Sequence, residues 1–202
     1  MKLKKITAML LALCMMTAAS GCSSSEEEND QKAAETTAAE SQSAVPAEDS
    51  ILDTAETFGS MQYYSSSQWT SSAVDTAIVY SMPNESDSIV FQKLDGSLYE
   101  TEDEDETIEF LAEKSQEAWD SFNDFTILEQ KWDENIIPGK KCFVMSYNYE
   151  YESVLTTYTS VFFANFNDET KDVFSVSSIA VTEDALTEEY LYELLRTVTF
   201  SE

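Results

Sequence analysis

The fold of this chain is decided by residues 140–181, which read KKCFVMSYNYEYESVLTTYTSVFFANFNDETKDVFSVSSIAV. From Phe143 to Tyr151, large apolar side chains alternate with smaller or polar ones at all but one position. A period of two predicts an antiparallel strand with one face toward solvent. Two further runs of β-branched and aromatic residues follow, each after a short turn. The predicted strands and turns are Phe143–Tyr151, Glu152-Ser153, Val154–Phe166, Asn167–Thr170 and Val173–Val181. The stretch therefore predicts a three-stranded meander.

One amphipathic helix is predicted before the meander and one after it. In residues 106–122, Ile108 and Leu111 belong to a set of apolar residues that recur at helical spacing on one face. The acidic residues that precede this set suit the N-terminus of a helix, where the helix dipole favours negative charge. A second apolar face, from Tyr190 to Leu195, predicts a helix over residues 185–196.

Further strands complete the predicted fold. They are expected at Met61–Tyr64, Val74–Tyr80, Ser88–Leu94, Thr126–Trp132 and Thr197–Phe200. The order of strands, helix, strands, helix and strand is typical of an α+β fold, here a mainly antiparallel β-sheet flanked by two principal helices. Residues 51–202 have the usual length of one domain, so we predict a single α+β domain over this range.

The first 22 residues have the order of a secretory signal: a basic start at Met1–Lys5, an apolar run at Ile6–Ala19, and small residues before Cys22. The apolar run is shorter than the roughly 20 residues that span a bilayer. The segment Ala19-Ser20-Gly21-Cys22 resembles the lipobox of bacterial lipoproteins, although that family prefers Leu where Ala19 stands. The resemblance implies a signal peptide over residues 1–21, cleavage before Cys22 and a lipid on its sulfur. The alternative is an ordinary secreted protein cut near Ala19.

Residues 22–50 are predicted to form a lipid-anchored, disordered acidic tether. From residue 23 to residue 50 there is no aromatic side chain and one strongly apolar residue, Val45. Such a segment cannot bury enough surface to offset the entropy lost on ordering. The predicted location is therefore the outer, extracytoplasmic side of a cell membrane, with the lipid bilayer as a partner through Cys22.

Composition excludes several classes of function. Removal of the signal leaves 39 acidic residues against eight Lys and Arg, a net charge near −31. That charge argues against nucleic acid as a partner, because nucleic-acid binding needs clustered Lys and Arg. Histidine is absent, which excludes histidine-based catalysis and His-ligated zinc or haem. After processing, Cys142 is the one cysteine without a lipid, and we predict that it packs as a small apolar side chain.

The order of elements over most of residues 60–200 resembles the PsbP-like α/β/α sandwich. The resemblance begins with the aromatic segment Tyr63-Tyr64-Ser65-Ser66-Ser67-Gln68-Trp69. It continues through a hairpin, the helix at 106–122, a strand ending near Trp132, the turn Ile137–Lys141, the meander, and a helix that runs into Val198-Thr199-Phe200. The family usually has proline before the early tryptophan, where this chain has Gln68. The resemblance implies binding or scaffolding rather than chemistry, and it supplies no active-site residues.

Two groups of residues are candidate binding sites. The acidic run Glu100–Glu106 contains possible calcium ligands at Glu102, Asp103 and Asp105, since calcium takes oxygen ligands. The run lacks the EF-hand pattern, and the alternative is a solvated loop and helix start. A second group of side chains combines apolar rings with polar tips, which suits a ligand-binding face. These are Tyr147, Tyr149, Tyr151 and Tyr158. The alternative is a packed sheet face under a helix.

The predicted function is that of a non-catalytic binding or accessory module of the cell envelope, whose further partner is an envelope protein or a small ligand. No cofactor is predicted. One alternative is an envelope hydrolase that uses a pair of carboxylates, but among 39 acidic residues some pair always lies at a suitable distance in some arrangement. The other alternative is a structural protein displayed on the surface.

Overall fold

A computed structural model describes residues 46, 50–95, 101, 103–120, 125–151, 153–167, 170–181 and 186–201. The predicted signal peptide, Cys22 and most of the predicted tether lie outside these residues. Neither helix in the described part of the chain has the length and apolar character needed to cross a membrane.

Ten strands and two helices make up the described part of the chain. The helices are α1 (Glu104–Asp120) and α2 (Leu186–Leu195). The strands are β1 (Thr54–Phe58), β2 (Met61–Ser65), β3 (Thr70–Val74), β4 (Ala77–Ser81), β5 (Ser88–Asp95), β6 (Phe125–Ile137), β7 (Lys140–Tyr151), β8 (Val154–Phe166), β9 (Lys171–Ala180) and β10 (Thr199–Phe200). The predicted α+β class, with mainly antiparallel sheet and two principal helices, is confirmed.

The larger sheet has seven strands in the order β3-β4-β5-β9-β8-β7-β6, and every pairing in it is antiparallel. Strands β7, β8 and β9 are consecutive neighbours, so the predicted meander is confirmed. Its connections are as tight as the turn residues indicated. Tyr151 pairs with Val154, and Phe166 pairs with Lys171.

A second sheet of three strands, in the order β1-β2-β10, was not predicted. Its central strand β2 pairs with β1 through a turn at Gly59 and Ser60, and with β10 through Met61 and Phe200. The last pairing joins residues 139 positions apart in the sequence. No local pattern reports such a pairing, which is why the prediction of one sheet was wrong. We call this three-stranded sheet the small sheet.

The prediction that β7 has a solvent-facing side is wrong along most of its length. Val144 and Met145, which point to opposite faces, are both completely buried. Helix α1 packs on β7 and β8 on one side of the large sheet. On the other side Val144 joins a core cluster with Leu191 and Leu194 of α2 and with Met61 of the small sheet. At β7 the sheet is thus covered on both faces.

The segment predicted as one strand at Val74–Tyr80 contains the last residue of β3, a two-residue turn and most of β4. Val74 pairs with Ala77, and the chain reverses at Asp75 and Thr76. Strand β3 has all five residues exposed, so it lacks the apolar alternation that would have revealed it. Strand β6 likewise runs beyond its predicted end at Trp132, after register shifts in its pairing with β7.

Candidate functional site

The small sheet turns one face toward the core and the other outward. On β2, Met61 and Tyr63 are buried, with 0% and 2% of their surface exposed. Successive side chains of a strand point to opposite faces, so Gln62 and Tyr64 lie on the outer face. Gln62 is exposed and Tyr64 is half-buried.

Strand register places the outer-face side chains in two rows across the sheet. Gln62 pairs with Thr57 of β1 and with Thr199 of β10, which gives the first row. In the second row Tyr64 pairs with Ala55 of β1. Its other neighbour is Thr197, whose Oγ1 accepts a hydrogen bond of 3.0 Å from the Tyr64 backbone N–H. The two rows form one continuous patch of small and polar side chains.

This patch lines an open cleft of about 280 Å³. The residues around the cleft are Ala55, Glu56, Thr57, Gln62, Tyr63, Tyr64, Thr197 and Thr199. Ligand pockets begin at about 300 Å³, so the volume of the cleft is just below that range. We call it the outer cleft.

Some polar groups of the outer cleft are used by the fold and others are not. Thr197 Oγ1 also donates to the backbone oxygen of Leu194, at 2.7 Å, which ties the cleft to the end of α2. Glu56 Oε1 accepts a weak hydrogen bond of 3.4 Å from Ser65. Within the described residues, no intrachain hydrogen bond involves the side chains of Thr57, Gln62, Tyr64 and Thr199. These four side chains line the cleft, and their polar groups can form hydrogen bonds with a ligand or with water.

A rigid aromatic layer supports the small sheet from its inner side. The Tyr63 ring stacks on Phe91 of the large sheet, with ring centroids 4.6 Å apart. Its hydroxyl shares a buried hydrogen bond of 2.7 Å with the hydroxyl of Tyr80. Burial, and then the hydrogen bond to Tyr80, raise the pKa of Tyr63 far above its usual value, so this hydroxyl keeps its proton. These contacts hold β2, and with it the outer-face side chains of the small sheet, against the large sheet.

A polar contact at the β1–β2 turn joins the small sheet to the large one. The carboxylate of Asp172, 6% exposed on β9, accepts hydrogen bonds from Ser60 N at 3.1 Å and from Ser60 Oγ at 2.9 Å. Its other oxygen lies 3.3 Å from Lys93 Nζ of β5. Gly59 has a φ of +62°, and a Cβ there would come within 2.7 Å of Lys93 Cδ. The turn therefore needs glycine at this position.

The predicted tyrosine face is placed mostly inside the protein. Tyr147 and Tyr149 are 2% and 6% exposed. Tyr147 stacks on Tyr158, with ring centroids 5.0 Å apart and planes within 5°, and contacts Phe125. Burial raises the pKa of Tyr158 to about 12. The side chain of Tyr151 lies outside what the structure describes. These positions fit the alternative of a packed sheet face, and a ligand role for these side chains stays a prediction.

The described part of the acidic run is engaged at the start of α1. Asp103 Oδ1 accepts hydrogen bonds from the backbone N–H groups of Asp105 and Glu106, which is the geometry of a helix N-cap. Asp105 forms an ion pair with Lys141. Glu102 lies outside the described residues. No group of three or more candidate metal ligands comes together in the described part of the chain, and calcium binding remains a prediction.

Neither Cys142 nor Asp53 has the pKa that the corresponding catalytic role requires. Cys142 is completely buried in the core cluster, as predicted for a small apolar side chain. Burial raises its pKa to about 12, which opposes formation of a thiolate nucleophile. The carboxyl pKa of Asp53 is lowered by hydrogen bonds from Ser67 and Thr54. A general acid for glycoside hydrolysis needs a raised pKa instead.

The outer cleft was missed because its residues come from three distant segments. A local signal was present in β2, where the apolar Met61 and aromatic Tyr63 flank the polar Gln62. A similar alternation of Thr and apolar residues runs from Thr197 to Phe200. What the sequence did not indicate is that these two segments are neighbours in one sheet.

Comparisons with known proteins identify the fold but no family. No family model matches the chain, and no curated protein sequence is significantly similar to it. A solved structure of LpqN, involved in cell envelope biogenesis of Mycobacterium tuberculosis, matches 70% of this chain and 83% of its own, with a TM-score of 0.52 and 13% identity. At that identity the likeness concerns the fold alone.

Two other solved structures match less closely. Cyanobacterial PsbP from Synechocystis sp. PCC 6803 matches 70% of this chain and 87% of its own, with a TM-score of 0.47 and 9% identity. A protein from Bacteroides thetaiotaomicron VPI-5482 matches 71% of this chain, with a TM-score of 0.47 and 9% identity. The match spans 46% of that longer protein. A PsbP structure is thus among the solved folds that the chain matches.

Proposed function

We propose that this chain is a lipoprotein anchored on the outer side of a cell membrane, and that its α+β domain is a non-catalytic binding or accessory module of the cell envelope. The observation that carries the binding role is the outer cleft, where four polar side chains that have no hydrogen-bond partner among the described residues line one open space. LpqN, which shares the fold, is described as involved in cell envelope biogenesis, and the proposal extends such a role to this chain.

The anchor rests on the N-terminal sequence. A basic start, a short apolar run and Ala19-Ser20-Gly21-Cys22 stand in the order that lipoprotein signals have. Two acyl chains on one residue give stable membrane attachment, whereas a single chain gives only marginal binding. The high negative charge of the chain would repel an anionic membrane surface, so the lipid has to supply the attachment.

The non-catalytic role rests on the chemistry that is missing. Without histidine, an enzyme of this sequence would depend on carboxylates, lysines, tyrosines or its thiol. The buried thiol of Cys142 has a raised pKa. Of the lysines, Lys93, Lys140 and Lys141 are each paired with a carboxylate. These groups serve the fold, which favours binding over catalysis.

The anchor is tested by the intact mass and the membrane fraction of the protein expressed in a bacterium. The wild type is expected in the membrane fraction, with a mass that begins at Cys22 and includes two or more acyl chains. Cys22→Ala is expected to lose the lipid mass and leave the membrane fraction or remain uncleaved. Cys14→Ala is the matched control, because Cys14 lies in the apolar run that is removed. A wild type without acyl chains would overturn the lipoprotein proposal.

A further inference from the structure

The outer cleft offers hydrogen-bonding groups that suit a ligand rich in hydroxyl groups. Thr57 and Thr199 each present a hydroxyl that can donate and accept, and Gln62 between them presents an amide with two donors and an acceptor. None of the three has a hydrogen-bond partner within the described residues. A ligand whose own groups donate and accept at short intervals would satisfy this row, whereas an apolar ligand would leave it unsatisfied.

The second row of the cleft adds an aromatic surface. Tyr64, whose half-buried ring also packs against the core cluster, pairs with Ala55, the smallest side chain in the outer rows, which is itself exposed. A tyrosine ring combines an apolar face with a polar tip. The face of a pyranose ring that carries its C–H groups is apolar and packs against such a ring, while its hydroxyls point sideways toward hydrogen-bonding groups.

The charge of the chain and the volume of the cleft restrict the class of ligand further. Among the described residues that line the cleft, Glu56 alone is charged, and the whole chain is strongly acidic. Both features disfavour phosphate or carboxylate ligands, since like charges repel. A volume of about 280 Å³ admits a short segment rather than a large ligand.

We infer that the outer cleft binds a short segment of an uncharged saccharide. Tyr64 packs against one sugar face, and Gln62, Thr57 and Thr199 bond the hydroxyl or acetamido groups of that sugar. This inference rests on the proposed function as an envelope binding module and gives the chemical class of its ligand. Recognition uses neutral hydrogen bonds and one aromatic contact, so the affinity is expected to be modest and little affected by salt.

The test is calorimetric titration of the purified full chain in detergent with β-1,4-linked tetramers of N-acetylglucosamine and of glucose. At least one tetramer is expected to bind saturably. Gln62→Ala removes hydrogen bonds worth about 1 kcal/mol and should weaken binding about fivefold. Tyr64→Ala should weaken it more strongly than Tyr64→Phe, which keeps the ring. Gln68→Ala is the matched control, because Gln68 is also exposed but does not line the cleft.

Because Tyr64 is half-buried, Tyr64→Ala also loses packing, and Gln62→Ala at an exposed position is the decisive variant. The inference is overturned if neither tetramer binds saturably at millimolar concentration, or if Gln62→Ala and Gln68→Ala bind like the wild type. A failure of saccharide binding would not affect the proposed lipid anchor, which intact mass and membrane fractionation test separately. Cleavage of a bound tetramer, read by chromatography, would support the saccharide site and overturn the non-catalytic role.

Discussion

The contact between Asp172 and the β1–β2 turn allows a stability prediction to be worked out in detail. Asp172→Ala removes a carboxylate, 6% exposed, that accepts two hydrogen bonds from Ser60 and faces Lys93 at 3.3 Å. Hydrogen bonds to charged groups contribute about 1.5–3 kcal/mol each. We take the lower value for each of the two hydrogen bonds from Ser60. The ion pair with Lys93 adds little stability, because the Lys93 side chain is one-third exposed to water.

The free energy of unfolding of Asp172→Ala should therefore fall by about 3 kcal/mol, in the range measured when one partner of a buried pair is removed. For a domain of this size that corresponds to a loss of about 6–12 °C in Tm. Asp172→Asn keeps an acceptor for Ser60 and should cost about half as much. Asp75→Ala, at an exposed turn position, is the control and should change stability by less than about 0.5 kcal/mol.

Urea unfolding followed by tryptophan fluorescence measures these differences, because buried Trp69 reports on the core around the small sheet. A double-mutant cycle with Ser60→Ala isolates the contact, and a coupling of about 1 kcal/mol is expected between residues in direct hydrogen bonding. The reasoning is refuted if Asp172→Ala is no less stable than Asp75→Ala, or if the coupling with Ser60 is zero. Either result would mean that the contact with Asp172 does not stabilise the turn.

Three further predictions follow from the described contacts. Tyr63→Phe leaves the buried Tyr80 hydroxyl without its 2.7 Å partner and should lower the free energy of unfolding in urea by about 1–2 kcal/mol. The neighbouring Tyr64→Phe should not change it, and equal losses of stability in the two variants would contradict this prediction. Asp103→Ala removes the N-cap of α1 and should lower the free energy of unfolding by about 1 kcal/mol, whereas Asp103→Ser should retain most of the wild-type stability. Urea unfolding measures both variants, and an equal loss in Asp103→Ser would argue against capping. Burial raises the pKa of Cys142 and of Tyr158 to about 12, above their unfolded values of about 8.5 and 10. The folded state then keeps protons that the unfolded state releases, so the free energy of unfolding should fall as the pH rises from about 9 toward 12; a flat profile over that range would exclude the effect.

The elements with strong local patterns were predictable from the sequence. The meander was predicted from the alternation of apolar and polar residues and from the turn residues between its strands. The pairings of Tyr151 with Val154 and of Phe166 with Lys171 confirm it. Helix α1 was predicted within two residues at each end, since its apolar spacing and the acidic residues at its start are both local signals. Such signals suffice because the contacts that they report join neighbours in the sequence.

The candidate site depended on contacts that no local pattern reports. Met61 and Phe200 pair across 139 positions, and this pairing creates the small sheet and places Gln62 beside Thr199. The face of β7 that the alternation had assigned to solvent is also covered, and Val144 on it is completely buried in the core cluster. The sequence by itself determined the elements, the acidic charge and the N-terminal signal pattern, because those depend on residue type and spacing. Only the tertiary structure decided which side chains face a cleft and which are buried, because burial depends on what packs on top.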